Sequence, residues 1–162
     1  MPMVFLGLGT NIDRERSLRA GLEAIRSLDP EAIVSTVYEC EAVGFAGPPF
    51  YNCVVRLNME LSLADLVAEL KTIEDSNGRR RTATPEGAKG LDIDVLTYGD
   101  WVGCFDSVEL PRPDIIRYAH VLLPLSEIAP DACLPGGRVS YQVMWNNYDK
   151  SGLILTKVAF SL

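Results

Sequence analysis

The 162-residue chain has a single histidine, His120. That scarcity excludes a zinc or iron site built on several imidazoles, and any Ser-His-Asp triad would depend on this one residue. Cysteine is sparse too: Cys40, Cys53, Cys104 and Cys133 are scattered with no C-x-x-C spacing. No basic-then-apolar leader opens the chain, so these read as reduced thiols, packed as small hydrophobes in a cytoplasmic protein. No apolar run approaches the ~20 residues of a membrane span. Positive charge is also short, with 15 Lys and Arg against 22 Asp and Glu and a formal charge of −7. General nucleic-acid binding wants a basic surface, so neither nucleic acid nor membrane is an expected partner. Hard-cation chemistry on oxygen ligands stays open, as does a local basic cluster for a small anion.

With 48% hydrophobic and 23% charged residues, the composition is ordinary for a globular chain. The length suits one domain, 1–162, burying roughly two-thirds of its unfolded surface. Residues 3–8 are apolar and run into Gly9-Thr10-Asn11, the pattern of a buried strand and a turn. Asn11 or Asp13 is placed to cap a helix in which Leu18, Leu22 and Ile25 recur, ending at Asp29-Pro30. Residues 33–38 are β-branched and strand-like. A long loop, 39–49, follows; such irregular stretches are more often functional than idle. Residues 51–61 form the next strand. Ser62 caps a helix with the stripe Leu63, Leu66, Val67, Leu70 and Ile73, stopping at Asn77-Gly78. Residues 91–98 are a strand, 121–128 a short helical stretch, and the end after Pro135 is hard to read. The order βαββαβ predicts an α+β, ferredoxin-like sandwich with an antiparallel sheet and a C-terminal extension.

The sharpest local feature is Leu91-Asp92-Ile93-Asp94-Val95. Strand alternation puts both carboxylates on one face, roughly 7 Å apart. Such a pair suits two divalent ions with phosphate oxygens completing the shell. A solvated polar strand face is the other reading, and the pattern alone leaves the two balanced. Arg79-Arg80-Arg81 with Lys89 forms a local cationic cluster after a helix end. It could serve a phosphate or merely offset the helix dipole. Glu74 falls on the inner stripe of its helix, where a carboxylate needs a partner or must snorkel to water. Phe50, Tyr51, Asn52 and His120 combine rings that stack heterocycles with an amide that reads a ring edge. Taken singly, each is more simply a core or turn residue, and His120 a core-edge histidine.

Taken in order, Gly9-Thr10-Asn11, the loop up to Asn52, Glu74 with Gly78-Arg79-Arg80-Arg81, Leu91-Asp92-Ile93-Asp94-Val95-Leu96 and Pro124-Leu125-Ser126-Glu127-Ile128-Ala129-Pro130 resemble the 6-hydroxymethyl-7,8-dihydropterin pyrophosphokinase family. The resemblance spans about residues 3–140. It implies a ferredoxin-like fold and transfer of pyrophosphate from ATP, as co-substrate, to the pterin hydroxymethyl oxygen, releasing AMP. It implies that Asp92 and Asp94 hold two Mg2+ ions, that Arg79, Arg81 and Lys89 cradle phosphates, and that Glu74 lines the nucleotide site. It further implies that Asn52 bonds the pterin, that Phe50 and His120 sandwich the ring, and that the Cys40–Val43–Gly44 stretch contacts its edge through backbone.

This chain departs from that family in places. Glu86-Gly87-Ala88-Lys89 replaces the usual Trp-Gly-Pro-Arg, and Pro111-Arg112-Pro113 replaces Pro-His-Pro. Tyr118 replaces an arginine, with Arg117 beside it as a substitute, and Cys40-Glu41 replaces Thr-Pro. The expectation is therefore an active, diverged pterin pyrophosphokinase. The competing readings are a homologue that binds pterin or nucleotide with little turnover or accepts a different pterin, and a ferredoxin-like binding domain whose aspartates are merely solvated.

Overall fold

Alternation along the first strand sets the layering. In the computed structural model, which describes residues 1–42, 46–77 and 90–162, β1 (Met3–Thr10) points Val4, Leu6 and Leu8 to one face and Phe5 to the other. On the first face lie α1 (Arg14–Leu28) and α2 (Leu63–Ser76). Leu18, Leu22 and Ile25 of α1 and Leu66, Leu70 and Ile73 of α2 share a core with β1. These are the predicted stripes, and the apolar area they remove from water is the main force holding the layer together.

The sheet is completed by β2 (Ile33–Val34), β3 (Val37–Cys40), β4 (Phe50–Asn58), β5 (Asp92–Tyr98) and β8 (Thr156–Val158). Its order is β5-β1-β4-β3-β8, with β2 also on β4, and the pairings are antiparallel. With β2 and β3 counted as one broken strand, this is the ferredoxin-like βαββαβ sheet expected from the element order. The second face is also covered. There α4 (Ala119–Ile128) and α5 (Tyr141–Asn146) pack Leu122, Leu125 and Tyr141 against Phe5, Val54 and Leu96. The small hairpin β6 (Gly103–Phe105) and β7 (Val108–Leu110) and the single turn α3 (Asp114–Arg117) connect β5 to α4.

Several local expectations need correction. Residues 33–38 are two strands because Ser35 interrupts the ladder. Its hydroxyl accepts from Val54 N–H at 2.9 Å, taking a backbone carbonyl's place, and donates to the Thr36 carbonyl. Neither Asn11 nor Asp13 caps α1 through its side chain. Asn11 Nδ2 donates to the Pro48 carbonyl at 3.0 Å, and Asp13 pairs with Arg16 at 2.8 Å. The strand predicted to reach residue 61 ends at Asn58, whose N–H donates to Asp29 Oδ2 instead. Ser62 does cap α2, accepting from Asp65 N–H at 3.2 Å. The C-terminal stretch adds β8 to the free edge of β3.

Candidate active site

Register places the chemistry. Across three adjacent strands, Asp92, Gly9 and Asn52 lie in one row, and Asp94, Gly7 and Val54 in the next. Two inter-strand steps of ~4.8 Å separate the backbones of Asp92 and Asn52, about 10 Å in all. Between them Gly9 leaves the floor bare. A Cβ there would stand 2.7 Å from Asn52 Oδ1, so glycine is what lets the Asn52 carboxamide lie over β1. At Gly7 a Cβ would meet the Leu96 side chain, nearest at Cδ2, 3.3 Å.

Above this floor is a cavity of about 270 Å3 on the α4 side of the sheet. It is lined by Asp92 and Asp94 at one end and by Cys40, Glu41, Phe50 and Asn52 toward the other, with Tyr118 and His120 from the α3–α4 side. Phe50 and His120, far apart in sequence, therefore share one apolar slot. The Tyr118 and His120 rings stack at 5.2 Å and 16°. Burial holds the His120 imidazole below its ordinary pKa despite the opposing pull of Asp114, so at neutral pH it presents an uncharged face. The Asn52 amide donates to Cys40 Sγ at 2.8 Å. Burial pushes the Cys40 thiol up to about 11, reinforced by Glu41 and opposed by the Asn52 bond, so Cys40 is a protonated wall rather than a nucleophile.

The loop carrying Phe50 is tied down from below. Arg14 pairs with Glu39 at 2.7 Å, donates to the Pro49 carbonyl at 3.3 Å and lies 4.0 Å over the Tyr51 ring. With the Asn11–Pro48 bond, these contacts fix where β4 begins and hence where Phe50 enters the cavity.

A second cavity of about 440 Å3 adjoins the first, sharing Asp94 and Asp114 as the partition. Its lining brings three cations, Lys71, Arg112 and Arg117, toward the same space, with Glu74 on its α2 wall. Glu74 is buried at 8% exposure and accepts from Ile93 N–H at 2.7 Å. The inner-stripe carboxylate thus has its donor and locks α2 to the very strand that carries the aspartate pair. Arg112 Nε lies 3.2 Å from Asp114 Oδ2 and Nη2 lies 3.7 Å from Asp94 Oδ2.

Asp92 and Asp94 are both half-buried, oxygen-only donors on a rigid strand. Among the described residues no three His, Cys, Asp or Glu side chains gather into a metal cage. That donor set fits magnesium, which keeps waters and takes one or two carboxylates with phosphate oxygens. The expected phosphate ligands Arg79, Arg81 and Lys89, with Val43, Gly44 and Glu86, lie outside the described residues.

Sequence reasoning overlooked Asp114 and Lys71. Asp114 reads as an ordinary first-turn acid, and only the fold brings it beside Asp94. The tail was also opaque. Tyr148 and residues 153–155 line a recess of about 280 Å3 that opens beside Cys40, Glu41 and His120. Among the described residues, no helix is long and apolar enough to cross a membrane.

Comparison with known proteins bears on the family and the fold. Residues 5–130 match the family model for 7,8-dihydro-6-hydroxymethylpterin-pyrophosphokinase (HPPK). A 2-amino-4-hydroxy-6-hydroxymethyldihydropteridine pyrophosphokinase of Haemophilus influenzae is 33% identical over 143 residues, covering 86% of this chain and 89% of that protein. The Pseudomonas aeruginosa protein of the same name is 34% identical over 139 residues, covering 83% and 85%. Among solved structures, an HPPK-DHPS in complex with substrates superposes with a TM-score of 0.71 at 11% identity, over 93% of this chain and 46% of that one. A Plasmodium falciparum HPPK-DHPS variant gives a TM-score of 0.72 at 14% identity, over 91% and 41%. At those identities the structures speak for the fold, and this chain spans less than half their length.

Proposed function

The chain belongs to the 7,8-dihydro-6-hydroxymethylpterin-pyrophosphokinase family, and from that membership we propose how its side chains divide the reaction. It is a pyrophosphokinase of folate biosynthesis, moving pyrophosphate onto a pterin. In our reading the smaller cavity takes the 6-hydroxymethyl-7,8-dihydropterin and the larger takes ATP. The observation that carries this is the partition: Asp94 lines both cavities, so the reacting centres meet at the aspartate pair.

Asn52 would read the ring edge from its place over Gly9, with Phe50 and neutral His120 on the ring faces and the Cys40–Gly44 stretch at its rim. The ring's hydroxymethyl arm would then reach toward Asp92 and Asp94. Arg112, Arg117 and Lys71 line the space for the phosphates, with Glu74 on the nucleotide wall; Arg79, Arg81 and Lys89, which lie outside the described residues, would add to these cations as the family resemblance implies. Asp92 and Asp94 would hold Mg2+, two ions with ATP. Magnesium bound there would supply neutralisation of the triphosphate charge. In the transfer, the hydroxymethyl oxygen bonds to the β-phosphorus, the bond from that phosphorus to the α–β bridging oxygen breaks, AMP departs, and the hydroxyl proton passes to solvent. No covalent enzyme intermediate is needed, so the protein contributes chiefly alignment and electrostatic stabilisation.

A second reading, a homologue with little turnover, draws on the Arg112–Asp94 ion pair, which sets a cation where a metal is wanted. A different pterin is suggested by Glu41 on the cavity rim. The experiment that separates metal chemistry from a solvated strand face is a Mg2+-ATP titration of Asp94→Ala. We expect metal-dependent nucleotide affinity to be lost while the fold and pterin binding persist. Unchanged Mg2+-ATP affinity would remove the assignment.

A further inference from the structure

Arg112 stands on the seam between the two cavities with its backbone fixed. Its N–H donates to the Leu96 carbonyl at 2.8 Å, and its own carbonyl accepts from Ile115 N–H at 3.1 Å. Its guanidinium is shared unequally. The Nε–Asp114 ion pair, at 3.2 Å, is the closer contact, although the buried Nε makes no hydrogen bond; the Nη2 contact to Asp94, at 3.7 Å, is a charge contact beyond hydrogen-bonding distance. Both partners are partly open to solvent, with side-chain exposures of 38% for Arg112 and 43% for Asp94. Burial alone would lower the Arg112 pKa, but Asp94, Asp114 and Asp92 together outweigh it and keep the charge in place.

We propose that Arg112 is a phosphate-released counter-ion of Asp94, which makes the metal site weak toward bare cations and strong toward cations that arrive with nucleotide. This rests on Asp94 as a magnesium ligand, as read above. A divalent ion on Asp94 would sit beside a guanidinium aimed at the same oxygen, and solvent weakens that repulsion without abolishing it. Nucleotide phosphates change the balance, because they offer the guanidinium a better, bidentate partner. Because no hydrogen bond fixes the guanidinium on Asp94 or Asp114, the planar group can turn as a unit toward phosphate while its backbone stays in place. Metal and nucleotide then favour each other's binding, and the coupling is reciprocal. Asp114, at 3.2 Å from Nε, supplies the second negative charge that keeps the guanidinium on this seam.

Mn2+ binding to the full chain, followed by electron paramagnetic resonance without nucleotide, tests it apart from activity. Arg112→Gln should tighten Mn2+ binding by roughly fivefold, and Arg112→Lys, which keeps the charge, should stay within about twofold of the parent. The additional tightening produced by a non-hydrolysable ATP analogue should shrink in Arg112→Gln. Arg112→His at pH 8, where imidazole is neutral, should repeat the Arg112→Gln result and guards against a defect peculiar to glutamine. Unchanged or weaker Mn2+ affinity in both neutral variants would overturn the proposal. Asp94→Ala separates the two levels of inference. If it binds Mn2+ as well as the parent, the metal reading itself fails; if it loses Mn2+ while the neutral variants show no tightening, only the role of Arg112 fails.

Discussion

Gly9→Ala is the smallest change that should disable one substrate and spare the other. The added methyl would lie 2.7 Å from Asn52 Oδ1 and 3.7 Å from Phe50 Cδ2, so the carboxamide must move. Asn52 is buried at 8% exposure and tied to Cys40 Sγ, so it has little room to give. If it carries two hydrogen bonds to the pterin, each worth about 1 kcal/mol, losing them costs about 2 kcal/mol, or roughly 10- to 50-fold in affinity. Stability should change by less than about 1 kcal/mol, because the lost Asn52–Cys40 bond is partly offset by the lower chain entropy of alanine. The assay is steady-state kinetics with each substrate varied in turn. The expected result is a raised KM for pterin, an unchanged KM for ATP and a nearly unchanged melting temperature. Gly7→Ala is the comparison: its methyl meets Leu96 Cδ2 at 3.3 Å, a side-chain end that yields, so its effect should be several-fold smaller. A parent-like pterin KM in Gly9→Ala would refute the role of the glycine floor and the placement of the pterin on it.

Other consequences are equally direct. Glu127→Ala should cost about 2 kcal/mol in urea unfolding with little loss of substrate affinity, because its carboxylate accepts from Thr36 N–H, Thr36 Oγ1 and Tyr38 OH at 2.8, 2.7 and 3.0 Å; a loss below about 0.5 kcal/mol would contradict this. At pH 8, iodoacetamide should label exposed Cys104 and Cys133 and leave Cys40 and Cys53, which burial pushes up to about 11 and about 12; modification of Cys40 as fast as Cys104 would exclude the protonated-wall account. The fold favours those protonated thiols, so their stabilising share is complete below pH 9 and is lost as pH climbs toward 11 to 12, readable from unfolding midpoints. His120 has the opposite sign: its lowered pKa means stability falls as pH drops below 6.5, and His120→Phe should remove that acid limb while retaining pterin affinity.

How much of this could be read from the chain depends on how local each signal is. The alternation of Leu91, Ile93 and Val95 with Asp92 and Asp94 is a property of consecutive residues, and it places both aspartates on the cavity face as expected. The stripe of α2 likewise revealed Glu74 as inward-facing, but not its partner, since Ile93 N–H comes from another element. Ser35 breaks a strand through one hydroxyl bond across to β4, which β-propensity does not register. The β6–β7 turn uses Asp106 and Ser107 at positive φ where glycine would have announced it. Asp114 joins the site only through the fold, which sets it with Asp94 on the lining of both cavities. Glu127, part of the motif Pro124-Leu125-Ser126-Glu127, turns out to face Thr36 and Tyr38, a structural tie between α4 and the sheet.

The central claim is pyrophosphate transfer between two cavities that meet at Asp94. The most direct measurement is chromatography of the nucleotide and pterin products after incubation with Mg2+, ATP and 6-hydroxymethyl-7,8-dihydropterin. The account predicts AMP and pterin diphosphate in equal amounts, neither formed when pterin or Mg2+ is omitted. ADP as the product, or AMP released without pterin, would contradict it.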